Sequence, residues 1–287
     1  MTSASEMVSD VAVITGGASG FGRALAEECA LHGMRVALLD RDGERAEQEA
    51  AVLAATHAVD AFGLGVDVEK SAEVTDAATA VSQRFGRADL VVSNVGVQLF
   101  GAVERLTDDE WQWVLDVNVV GAARTARSFL PLLRAAPRGV LAFTTSASVM
   151  APGSRMGAYQ TSKFALWGLA ETLRLELADD GIAVSVIFPS GMMSRHLETS
   201  ADAQPDHLRR AIGDDTDFEA MIASNPNLAR DVTTPEEAAR NVFKGLRAGD
   251  RYVVTHGDLV DPIAQRSGEL TRAAERARDV GTPVVDL

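Results

Sequence analysis

Five short runs in this chain are apolar without alternation: VAVIT (11–15), RVALLD (35–40), ADLVVSN (88–94), GVLAFTTS (139–146) and GIAVSVIFPS (181–190). A strand with one wetted face alternates apolar and polar side chains. A run that is apolar throughout must be covered on both faces, the usual state of a strand in a parallel sheet. Between the runs lie stretches of helical spacing, GFGRALAEECALHG (20–33), GERAEQEAAVLAAT (43–56), SAEVTDAATAVSQRFG (71–86) and a long one over 107–135. AFGLGVDV (61–68) completes the third strand–helix unit, and RYVVT (251–255) reads as a last strand. Repeated units of this kind need right-handed crossovers. The expected fold is α/β: one domain over 1–287, a doubly wound parallel sheet with helices on both faces.

The rhythm stops between about 192 and 234, where SRHLETSADAQPDHLRRAIGDDTDFEAMIASNPNLARD is polar and irregular. A segment this long inside a compact domain usually serves a site, so a substrate lid is expected there. A helix from Pro235 and a helical tail over about 257–287 follow it. The apolar fraction of 46% and charged fraction of 24% fit a water-soluble globular chain, and no apolar run is long enough for a membrane span. The start, MTSASEMVSD, shows no secretory pattern, and the single Cys29 has no internal partner, which together give a cytoplasmic expectation. A net charge of −14 disfavours nucleic acid, and five scattered histidines show no metal-ligand spacing, so no metal is expected.

TGGASGFG (15–22) joins the first strand to the first helix. Its glycines permit a tight turn and a close backbone approach, and the helix start offers free N–H groups to a pyrophosphate. About 18 residues further on, Asp40 ends the second strand, where a carboxylate can bind the ribose hydroxyls of an adenosine and repel a 2′-phosphate. That favours NAD over NADP. The neighbouring Arg41 argues the other way, since a guanidinium can receive the phosphate. Asp67, with Val68 beside it, closes the third strand within reach of an adenine edge.

YQTSK (159–163) spends one of two tyrosines and one of three lysines one helical turn apart, on one helix face. With TGxxxGxG at Thr15–Gly22 and YxxxK at Tyr159–Lys163, the sequence resembles the short-chain dehydrogenases/reductases over about residues 10–192. SNVG (93–96) resembles that family's NNAG segment, NVVG supplies Asn118, TTSAS supplies Ser146, and PSG (189–191) resembles its proline–glycine turn. Ser194 stands where the family often has a threonine against the nicotinamide.

The resemblance implies a Rossmann-type fold and a nicotinamide cofactor. Thr15, Gly16, Ser19, Gly20, Phe21, Gly22, Asp40, Arg41, Asp67, Val68, Asn94, Gly96, Tyr159, Lys163, Pro189, Gly191 and Ser194 would hold it. Tyr159 would be the acid/base, Lys163 would tune it and hold the ribose, Ser146 would bind the substrate oxygen, and Asn118 would hold a proton-relaying water. A free tyrosine is too weak a base near neutral pH, so a nearby cation is needed to favour its anion. Val97, Leu99 and Phe100, with Met150, Met156, Met192, Met193 and Met221, are expected around a broad apolar pocket. Its small-molecule substrate would be a bulky secondary alcohol or its ketone. Tail and lid also resemble dehydrogenases of benzylic alcohols in lignin-derived aryl ethers. A homodimer or homotetramer is implied by the family's helix-pair interface. An NADP-dependent ketone reductase and a non-catalytic NAD(H)-binding protein are the alternatives.

Overall fold

The computed structural model describes residues 10–194, 196–209, 216–224 and 232–279. Seven parallel strands form its sheet: β1 (Val11–Thr15), β2 (Arg35–Asp40), β3 (Ala61–Gly65), β4 (Leu90–Ser93), β5 (Val140–Thr144), β6 (Ala183–Phe188) and β9 (Tyr252–Val254). Their order is β3-β2-β1-β4-β5-β6-β9, so the chain reverses direction across the sheet between β1 and β4. The crevice beyond the strand ends at such a reversal is where ligands bind in open α/β sheets. The unalternating runs are explained by two cores. Val11 and Val13 face one, Ala12 and Ile14 the other, and all four are fully buried.

The first core is covered by α3 (Ser71–Phe85), α5 (Gly121–Arg134) and α6 (Gly157–Glu176). The second is covered by α1 (Gly20–Leu31), α2 (Gly43–His57) and α9 (Pro235–Ala248). Helix α9 starts where Pro235 fits the first turn and Thr234 caps the Glu237 N–H at 3.2 Å. The long helical stretch over 107–135 is divided: α4 (Asp108–Leu115) passes through a π turn at Asp116–Val120 into α5. In the expected lid region, α7 (His196–Ala203) and α8 (Thr216–Ser224) are formed. Strand β7 (Gly191–Met192) pairs with β8 (Val232–Thr233), which brings the two ends of that region together. Residues 195, 210–215 and 225–231 of it lie outside the described residues, as do 280–287 of the tail. The tail's helix, α10 (Val260–Asp279), is exposed along most of its length. Among the described residues no helix is long and apolar enough to cross a membrane.

Candidate active site

One cavity of about 590 Å³ runs along the strand ends from the β1–α1 loop to Tyr159. At its first end lie Gly16, Ser19, Gly20, Phe21 and Gly22. A Cβ on Gly22 would collide with the Gly16 carbonyl oxygen, so the first turn of α1 can sit this close to the loop only as glycine. Asp40 supports the same loop: its Oδ2 accepts the Ala18 N–H and its Oδ1 the Asp42 N–H, each at 3.1 Å. Asp67 and Val68 line the wall beside it, with Asp67 Oδ1 accepting the Glu69 N–H at 3.0 Å.

Arg41 lines this end but is turned toward the lid region. Its guanidinium donates to the Ala203 and Asp202 carbonyls at 3.2 and 3.4 Å, at the C-terminal end of α7, where a cation suits the helix dipole. Thr15 was expected in contact with the cofactor and instead sits behind the wall, fully buried. Its Oγ1 accepts the Asn94 N–H at 2.9 Å and the Val95 N–H at 3.3 Å, tying β1 to the start of the SNVG turn. Asn94 and Gly96 then line the cavity, and a Cβ on Gly96 would come within 2.7 Å of Lys163 Nζ.

At the other end Ser146, Tyr159 and Lys163 meet in one wall. Ser146 leaves β5 in extended conformation, and its Oγ accepts the Ser148 N–H at 3.1 Å, starting a short 3₁₀ turn. Lys163 is buried, donates to the Thr144 carbonyl at 3.1 Å, and holds Nζ 5.6 Å from the centre of the Tyr159 ring. Burial pushes the Lys163 pKa down to about 8. Burial also pushes the Tyr159 hydroxyl above its ordinary value, while hydrogen bonds with Gln98 and Ser146 oppose that rise. The net direction is upward, against the expectation that Lys163 favours the tyrosine anion.

Asn118 is not in the cavity wall. The π turn directs its carboxamide inward, where it accepts the Val97 N–H at 2.7 Å and donates to the Val97 carbonyl and Ser162 Oγ, both at 2.9 Å. It therefore splints the Val97–Gln98 loop to α6, one residue before Lys163. Two expected pocket methionines are also misplaced. Met150 packs against the core of α3, α5 and α6, and Met193 points to solvent at 65% exposure. Met156, Met192, Val97 and Phe100 do line the cavity. Leu99 is buried next to Val97 in the cluster around Trp113. Met156 and Met221 pack on Tyr159, and the Phe100 and Phe218 rings meet at 5.7 Å, joining the SNVG rim to α8.

Two wall residues had no motif to announce them. Gln98 faces the Tyr159 hydroxyl with its side chain, and its N–H donates to Ser200 Oγ of α7 at 3.0 Å. The half-buried His196 opens α7 in the same wall; desolvation, then the Lys163 charge, push its pKa down to about 4.

Known proteins share this layout. A model described as short chain dehydrogenase matches residues 10–205. A curated C alpha-dehydrogenase from a Sphingobium species is 30% identical, over 87% of this chain and 81% of its own. The crystal structure of a short chain dehydrogenase/reductase from Burkholderia phymatum in complex with NAD is similar over 98% of this chain and 99% of its own, at 27% identity and a TM-score of 0.82. An alcohol dehydrogenase from Thermococcus sibiricus complexed with 5-hydroxy-NADP matches 87% of this chain and 97% of its own, at 26% identity and a TM-score of 0.72.

Proposed function

The chain belongs to the short-chain dehydrogenase family of NAD(P)-dependent oxidoreductases, and we propose that it interconverts a bulky, largely apolar secondary alcohol and its ketone with NAD. The observation that carries this reading is a single cavity with Asp40 and the glycine loop at one end and Ser146, Tyr159 and Lys163 at the other. The glycine loop fits a pyrophosphate: Gly16 and Gly20 take positive φ, and the start of α1, with its free N–H groups, lines the same end of the cavity. When bound, the nicotinamide would accept or supply hydride and, in its oxidised form, would add a positive charge beside Tyr159. Tyr159 takes the alcohol proton at Oη. Ser146 Oγ and the Gln98 amide face that oxygen and favour its anion. Lys163 holds positive charge beneath the ring, and Asn118 fixes the loop that carries Gln98. The proposed substrate end is the apolar patch of Phe100, Met156, Phe218 and Met221. The relative named C alpha-dehydrogenase adds support for a benzylic alcohol. A panel of secondary alcohols supplied with NAD, followed by NADH absorbance, tests the reading. Turnover of aryl carbinols is expected, and no turnover of any alcohol or reverse reduction of any ketone refutes it.

Cofactor choice is the second expected result. Arg41 is bonded to the end of α7, while the Asp40 carboxylate lines the glycine-loop end of the cavity, where the ribose is proposed to sit. Charge-assisted hydrogen bonds are worth about 1.5–3 kcal/mol, so NAD should be preferred over NADP by about tenfold to a hundredfold in kcat/KM. Asp40 also holds the Ala18 and Asp42 N–H groups, so Asp40→Asn, which keeps an acceptor and removes the charge, is the cleaner variant. It should bring the two cofactors within about a few-fold of each other. A wild-type enzyme that prefers NADP would show that Asp40 does not decide the choice.

A further inference from the structure

The PSG turn forms part of the cavity wall, through Pro189, Ser190 and Gly191, and immediately beyond it β7 meets β8 at the root of the lid region. On one side the turn is tied to the 3₁₀ turn that follows Ser146, since the Ala147 N–H donates to the Pro189 carbonyl at 2.7 Å. On the other it meets the end of β9. Thr255 continues that strand, buried, with its N–H on the Phe188 carbonyl at 3.2 Å and its own carbonyl accepting from the Asn241 side chain at 3.0 Å. Thr255 Oγ1 accepts the Ser190 N–H at 3.2 Å and lies 2.8 Å from His256 Nδ1, and His256 Nε2 lies 2.8 Å from the Gly191 carbonyl oxygen.

These contacts have one consistent direction in a neutral ring. A carbonyl oxygen only accepts, so Nε2 carries the proton and Nδ1 is the acceptor. The Thr255 hydroxyl then donates to Nδ1. The relay runs from the Ser190 N–H through the Thr255 hydroxyl and the His256 ring to the Gly191 carbonyl, and it grips both ends of one dipeptide. We propose that Thr255 and His256 are positioning residues: they clamp the Ser190–Gly191 dipeptide so that the turn meets the nicotinamide end of the bound cofactor already shaped. The proposal rests on the reading of the cavity as a nicotinamide cofactor site. Neither residue lines that cavity, so both act through the turn. A turn that loses the clamp has to be ordered by the cofactor itself, and that cost appears as weaker cofactor binding.

Two measurements test this. The ¹⁵N chemical shifts of the His256 ring in the wild-type protein are expected to show a protonated Nε2 and an accepting Nδ1; the opposite tautomer overturns the relay. NADH binding is then followed by fluorescence titration alongside urea unfolding. Thr255→Val and His256→Leu, which keep bulk and remove the relay, should weaken NADH about tenfold and raise the cofactor KM more than they lower kcat. Thr255→Ser restores the hydroxyl, and His256→Gln restores a donor to Gly191; both should stay within about threefold of wild type. Loss variants that unfold more easily yet bind NADH like the wild type would make the clamp merely structural and end the proposal. A wild-type chain that binds neither NADH nor NADPH refutes the cofactor reading instead, while the ring tautomer still reports on the relay.

Discussion

Tyr159→Phe is expected to lower kcat/KM by about 10²–10⁴-fold while leaving the fold and the NADH affinity close to wild type. The ring is buried and packed with Met156 and Met221, and phenylalanine keeps all of that surface. What disappears is one oxygen, the atom that faces Ser146 and Gln98. Burial alone raises the pKa of that hydroxyl, so the tyrosinate depends on the groups that contact it and on positive charge brought in with oxidised cofactor. The loss should therefore fall on kcat, with the cofactor KM nearly unchanged, because the interaction is made where the proton moves. Activity within tenfold of wild type would remove Tyr159 from the proton transfer and leave it a packing residue.

How much of this was legible in the sequence depends on what each signal measures. Unalternating apolar runs report burial on both faces, and the five of them are the central strands β2-β1-β4-β5-β6; the half-exposed edge strands β3 and β9 correspond to AFGLGVDV and RYVVT. The glycine loop was legible because steric exclusion leaves glycine no substitute at Gly22. Side-chain direction is a different matter. Thr15 belongs to the TGxxxGxG pattern yet points at Asn94, and Met150 follows the Ser146 turn yet folds back into the core. Adjacency to a motif places a backbone without aiming a side chain. Asn118 shows a further limit. A π turn re-aims it toward Val97 and Ser162, and nothing in the spacing of NVVG distinguishes five residues per hydrogen bond from four. Gln98, His196 and His256 belong to no local pattern. The fold carries Gln98 and His196 to the cavity wall and His256 to the turn behind it from three separate segments, so only a three-dimensional arrangement reveals them. Arg41 was read as a possible phosphate ligand because sequence gives its charge; its orientation toward α7 comes from a helix 162 residues away.

Lys163→Met should abolish most turnover and, at neutral pH, stabilise the protein. Lys163 is buried, its ammonium donates a hydrogen bond to the Thr144 carbonyl, and its pKa falls from the ordinary 10.5 to about 8 because burial disfavours the charge. Below pH 8 folded and unfolded chains both hold the proton, and the folded state carries the full cost of burying it, about 3 kcal/mol. Between pH 8 and 10.5 the unfolded chain still holds a proton that the folded chain has released. Unfolding then takes up protons, so this group's contribution to stability rises with pH. Methionine has no charge to bury. Its advantage should be nearly full at pH 7.5 and shrink by about 2 kcal/mol by pH 10, with the lost Thr144 hydrogen bond lowering both values equally. The raised Tyr159 pKa acts in both proteins and drops out of the difference. Urea unfolding followed by tryptophan fluorescence at the two pH values measures it. A difference that does not change with pH would mean that Lys163 is not held as a buried charge, and a variant that keeps its turnover would mean that the charge is not needed. If both expectations hold, the lysine is a strained group kept for chemistry, stabilised in use by the cofactor ribose and the tyrosinate it supports.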